Sequence, residues 1–89
     1  MKETVFYNEV LSINEISAET KVYPNPMNNI LHIEGVDVQD VTIFNAVGQM
    51  VLFIENRNEI NVEDLSEGLY FVRISDKKGN SVVKKIVKR

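Results

Sequence analysis

Apolar and polar residues alternate along most of this chain, in short runs bounded by glycine, asparagine, aspartate or proline. A period of two sends successive side chains to opposite faces, so these runs predict half-buried β-strands rather than helices. "NILHIEG" sets Leu31 and Ile33 on one face with His32 and Glu34 on the other, and "VTIFN" opposes Val41 and Ile43 to Thr42 and Phe44. "GLYFVRIS" opposes Tyr70, Val72 and Ile74 to Leu69, Phe71 and Arg73. "QMVLFIE" is apolar on both faces, the pattern of a more central strand. "SVVKKIVK" carries lysine in both registers, which marks an edge or solvent-facing strand.

The breaks between runs read as turns. "NAVG", Asn45 to Gly48, is a hairpin connection with glycine where positive φ is needed, and "DKKGN", Asp76 to Asn80, joins the last two strands in the same way. "EVLSINEISAET" has Val10, Ile13 and Ile16 at helical spacing, yet its asparagine and serine residues oppose a helix, so it reads as a linker or short extended lead-in. About seven short strands with regular turn signals predict an all-β fold, an antiparallel β-sandwich or small barrel. "DLSEGLY" favours an immunoglobulin-like sandwich: Leu65, Gly68 and Tyr70 suit a tyrosine corner, in which the phenol bonds back to upstream backbone. Tyr70 as a plain core aromatic is the competing explanation.

Composition narrows the chemistry. Eighty-nine residues make one small domain, and no run approaches the roughly 18 apolar residues of a membrane-spanning helix. Without cysteine there is no disulfide framework, thiolate metal site or thiol nucleophile. The N-terminal stretch "MKETVFYNEV" has no apolar core of a secretory signal. His32, the only histidine, sits beside Glu34 on a polar strand face, so a hydrolase would rest on it and scattered carboxylates alone. Asp37 with Asp40, and Asp76 with Asn80, lack the alternating spacing that wraps oxygens around a cation, and turn chemistry accounts for both. The glycines, Gly35, Gly48, Gly68 and Gly79, are dispersed, and none forms a phosphate loop. No cofactor is expected.

The net charge of −3 conceals a polarity. Met1 to Val72 holds 3 basic and 12 acidic residues, a balance of −9, whereas Arg73 to Arg89 holds 7 basic residues against Asp76, a balance of +6. Lys84, Lys85 and Lys88 do not all share one strand face, so no continuous basic stripe forms and nucleic acid is not an expected partner. The tail reads instead as a solvated, aggregation-blocking strand or as a docking feature for an acidic or membrane-associated partner.

Both prolines fall in "VYPNPMNN", where fixed φ and missing amide donors make a stiff, poorly pairing connector ahead of the next strand. Together, "KVYPNPMNNILHIEG", "VTIFNAVGQMV", "INVEDLSEGLYFVRI" and the lysine-rich end resemble the type A C-terminal sorting domain of the type IX (Por) secretion system of Bacteroidota. The resemblance covers residues 20–89 and leaves 1–19 as a linker from an upstream cargo. It implies an immunoglobulin-like domain without activity of its own that directs a fused cargo, brought to the periplasm by its own N-terminal signal, across the outer membrane. Its partners would be outer-membrane translocon and sortase components. In many cases a sortase-like cysteine peptidase removes the domain, which places cleavage in the linker before Val22.

Mapped on the family pattern, the structural positions are Pro24, Asn25, Pro26, Gly48, Leu65, Gly68 and Tyr70. The exposed tail, Lys84, Lys85, Lys88 and Arg89, is the expected translocon contact. An exposed strand edge offers a route to a weak homodimer. The alternative is an immunoglobulin-like adhesion or carbohydrate-binding module retained on the mature protein, with Phe44, Phe53 and Phe71 as its aromatic platform.

Overall fold

The computed structural model describes residues 20–89; all of the lead-in segment "EVLSINEISAET" except its last residue, Thr20, lies outside them. Seven strands follow in order: β1 (Lys21–Tyr23), β2 (Ile30–Glu34), β3 (Val38–Asn45), β4 (Met50–Glu55), β5 (Glu59–Asn61), β6 (Gly68–Asp76) and β7 (Ser81–Lys88). They form a three-stranded sheet, β1-β2-β5, and a four-stranded sheet, β4-β3-β6-β7, with every named pair antiparallel. The two sheets pack face to face as an immunoglobulin-like sandwich.

Alternation determines which side of each strand is inside. Leu31 and Ile33 of β2, Val41 and Ile43 of β3, Tyr70, Val72 and Ile74 of β6, and Val82 and Ile86 of β7 are buried together with Ile60 and Val62. β4 departs from the expectation of a central strand. Among the described residues it pairs only with β3, at the edge of its sheet, and Met50, Val51 and Phe53 are exposed. Its two-sided hydrophobicity reflects an apolar outer surface, not burial on both faces. β7 occupies the opposite edge, as its lysines predict.

The two hairpins share one design. Asn45 accepts the Gly48 amide on its carbonyl at 3.0 Å and the Val47 and Gln49 amides on its side-chain Oδ1 at 3.1 and 3.0 Å. Asp76 accepts Gly79 on its carbonyl at 3.3 Å and Lys78 and Asn80 on Oδ1, both at 2.9 Å. Gly48 has φ 89° with no atom within 4 Å of an added Cβ. Its requirement is therefore conformational rather than spatial.

Candidate functional site

The chain leaves β1 at Tyr23 and meets two prolines, each preceded by a cis peptide bond. Neither proline has an N–H to donate to a neighbouring strand. Asn25, between them, bonds to the last strand through its side chain, once as acceptor and once as donor. Its Oδ1 accepts the Val87 amide at 3.1 Å, and its Nδ2 donates to the Lys85 carbonyl at 3.5 Å. Backbone pairing then takes over: Met27 donates to the Val87 carbonyl at 2.7 Å, and Arg89 donates to the Met27 carbonyl at 3.0 Å, forming a parallel bridge between Met27 and Lys88. The Met27 side chain is fully buried in the core. "YPNPM" is thus more than a connector between β1 and β2, because it clips over the free edge of the last strand. Covering a terminal edge in this way blocks further strand pairing there.

The same end of the sandwich gathers the other motif residues. Lys88 pairs with Gly68 across β6 and β7, and its Nζ donates to the Leu65 carbonyl at 2.9 Å. Tyr70 donates its hydroxyl to the Ser66 carbonyl at 2.8 Å, four positions upstream. This is a tyrosine corner, with the ring also in the core. Two side chains from adjacent strands therefore hold the loop before β6. Gly68 enters β6 at φ 150°. The Asn45–Gly48 hairpin lies beside this loop, and Asn45 to Val47 and Ser66 to Tyr70 line a shallow groove of about 290 Å³.

The tail corrects one expectation. Lys88 is only 7% exposed and Lys84 is half-buried, whereas Lys85 and Arg89 face solvent. Period-two alternation sends Lys84 and Lys88 inward with Val82 and Ile86, so the tail is not a uniformly exposed cationic strand. Thr20 lies at the far end of the sandwich, where it lines a cavity of about 180 Å³ with Gly35 to Asp37 and Asp76 to Lys78. The chain therefore enters opposite the clipped end.

A second polar group, not anticipated from the sequence, crosses the outside of the three-stranded sheet. Tyr23 stacks on His32, its cross-strand partner, with ring centroids 5.2 Å apart and planes 18° from parallel. The Tyr23 hydroxyl donates to Glu34, and that bond, with smaller contributions from desolvation and from the Glu34 and Glu59 charges, raises the phenol above its ordinary pKa. His32 Nδ1 lies 3.5 Å from Glu59 Oε2. Strand register produces this cluster, since Tyr23 faces His32 and His32 faces Glu59. The Asp76 oxygens are occupied by Lys78 and Asn80, and the Asp37 carbonyl accepts the Lys77 amide at 3.2 Å, so both aspartates act in turns.

Residues 21–89 match the model of the secretion system C-terminal sorting domain. The chain belongs to this family. As a type IX sorting domain it implies an upstream cargo in the same chain, the type IX machinery as partner, and export across the outer membrane. No curated protein matches the chain closely.

Proposed function

We propose that residues 20–89 are the export mark and that residues 1–19 link it to the cargo. The cargo crosses the periplasm, the folded mark engages an outer-membrane translocon component, and a sortase-like peptidase then cuts in the linker ahead of Val22. The observation that carries this reading is the family match over 21–89, with entry and clip at opposite ends of the sandwich. A cleavage site beyond the entry end stands clear of the strands that build the mark. Within the tail, Lys85 and Arg89 are the residues that reach a partner, while Lys84 and Lys88 serve the fold. The outer edge of β4, unpaired among the described residues, is where two copies would pair weakly.

The test fuses residues 1–89 behind a periplasmic reporter in a type IX-competent cell. The reporter reaches the surface or medium, and mass spectrometry places its new C-terminus before Val22. A reporter exported with the domain still attached rules out the cleavage step, and one retained in the periplasm rules out the export role.

A further inference from the structure

The outward face of the four-stranded sheet is unusually apolar for a surface. Register aligns Met50, Phe44, Phe71 and Lys85 in one row across β4, β3, β6 and β7. The next row aligns Phe53, Thr42, Arg73 and Val83. Met50, Phe53 and Val83 are 62%, 49% and 56% exposed. The aromatics considered for a sugar platform thus share this outer face instead of completing the core. Among the described residues neither Arg73 nor Lys85 has an ion-pair partner. The acidic residues of the face, Asp40 and Glu55, form a separate row toward the entry end.

We propose that this face is the docking surface for a protein of the export machinery, one that presents apolar side chains with carboxylates placed to meet Arg73 and Lys85. The proposal rests on the sorting reading and adds the surface and partner chemistry to it. An exposed apolar patch of this kind marks an interaction site. Cations set within it with no ion-pair partner among the described residues specify the opposite charge on whatever covers it. A sugar is the poorer fit, because the aromatics are flanked by two cations and a buried Thr42, and the carboxylate acceptors of the face, Asp40 and Glu55, lie in a neighbouring row instead of among the rings. Lys85 also joins this face to the clip, since its carbonyl accepts from Asn25. The motif thereby sets the position of the strand that carries one of the two cations.

The test uses the full-length fusion in a type IX-competent cell, with a photo-crosslinking residue at Val83 and, as control, at exposed Glu63. The expected result is a Val83 cross-link to an outer-membrane protein of the machinery, absent at Glu63. In the Arg73→Glu/Lys85→Glu variant, that cross-link and surface display both fall by about tenfold or more. Circular dichroism and thermal melting of each variant establish folding, and Val83→Ser provides a milder change should charge reversal disturb the sheet. Undiminished export of a folded double variant overturns the proposal, as does a Val83 cross-link to a second copy, a glycan or lipid. An unaltered fusion that stays in the periplasm overturns the sorting reading itself and this surface with it.

Discussion

The Asn25 carboxamide oxygen accepts the Val87 amide proton at 3.1 Å, across 62 positions of the chain. With the Nδ2 bond to the Lys85 carbonyl, this makes Asn25 a stand-in for a backbone peptide at a place where the flanking prolines have no N–H to give. Asn25→Ala removes both bonds from an exposed edge. The expected loss is about 0.5–1.5 kcal/mol of stability. Faster hydrogen exchange at the Val87 amide should accompany it. An unchanged urea midpoint together with unchanged exchange would show that the backbone bonds of Met27 hold the clip alone.

Lys88 and Lys85 are neighbours in the tail with opposite fates. Lys88 buries its stem and gives its ammonium to the Leu65 carbonyl, while Lys85 is exposed. Lys88→Ala leaves that carbonyl without its partner and should cost about 1–3 kcal/mol. Lys85→Ala should stay within about 0.5 kcal/mol of the parent protein. Urea denaturation of the two variants makes the comparison. Deleting residues 84–89 would also remove buried Ile86 and the clip, so such a truncation reports on folding before it reports on recognition.

Tyr70 provides a cleaner measure of the same loop. Tyr70→Phe keeps the ring in the core and deletes only the hydroxyl that donates to the Ser66 carbonyl. The expected cost is about 1 kcal/mol, with the denaturant slope unchanged because the buried surface is conserved. A midpoint equal to the parent's would mean that solvent replaces the bond without loss.

Local pattern carried much of this fold. Leu31 with Ile33, and Tyr70 with Val72 and Ile74, announced their inward faces by alternation alone, and Asn45–Gly48 and Asp76–Asn80 announced their turns by residue type. β4 misled because an outer surface made of Met50 and Phe53 has the same pattern as a strand buried on both sides. Lys88 misled for a different reason. A lysine is normally exposed, and its burial depends on a carbonyl 23 positions away. The Asn25 clip and the Tyr23–His32–Glu59 cluster were invisible for the same cause, since strand register is a property of the assembled sheets. The motif residues were legible one by one, but their convergence on one end of the sandwich was not.

The two hairpins differ chiefly in the charge of one acceptor, and that difference predicts a pH effect. The Asn80 backbone amide is the main cause holding the Asp76 carboxyl below the ordinary aspartate value of 3.8, with the Asn80 side chain, the Lys78 amide and the Lys78 charge adding to it and desolvation opposing it. A carboxyl depressed in the folded state binds protons more readily when unfolded. Its stabilising contribution is therefore present above the unfolded value and declines as pH falls from that value through the folded one. Asn45 shows that a neutral amide can make the same turn, accepting from the i+2 and i+4 amides at 3.1 and 3.0 Å. Asp76→Asn should accordingly fold with the hairpin intact, lose a little stability at neutral pH, and show a shallower fall in Tm below about pH 4 than the parent. Thermal melts from pH 7 to about pH 2 compare the two proteins across this window. Parallel acid limbs would mean that Asp76 titrates alike in the folded and unfolded chains, and that the hairpin hydrogen bonds do not distinguish its two protonation states.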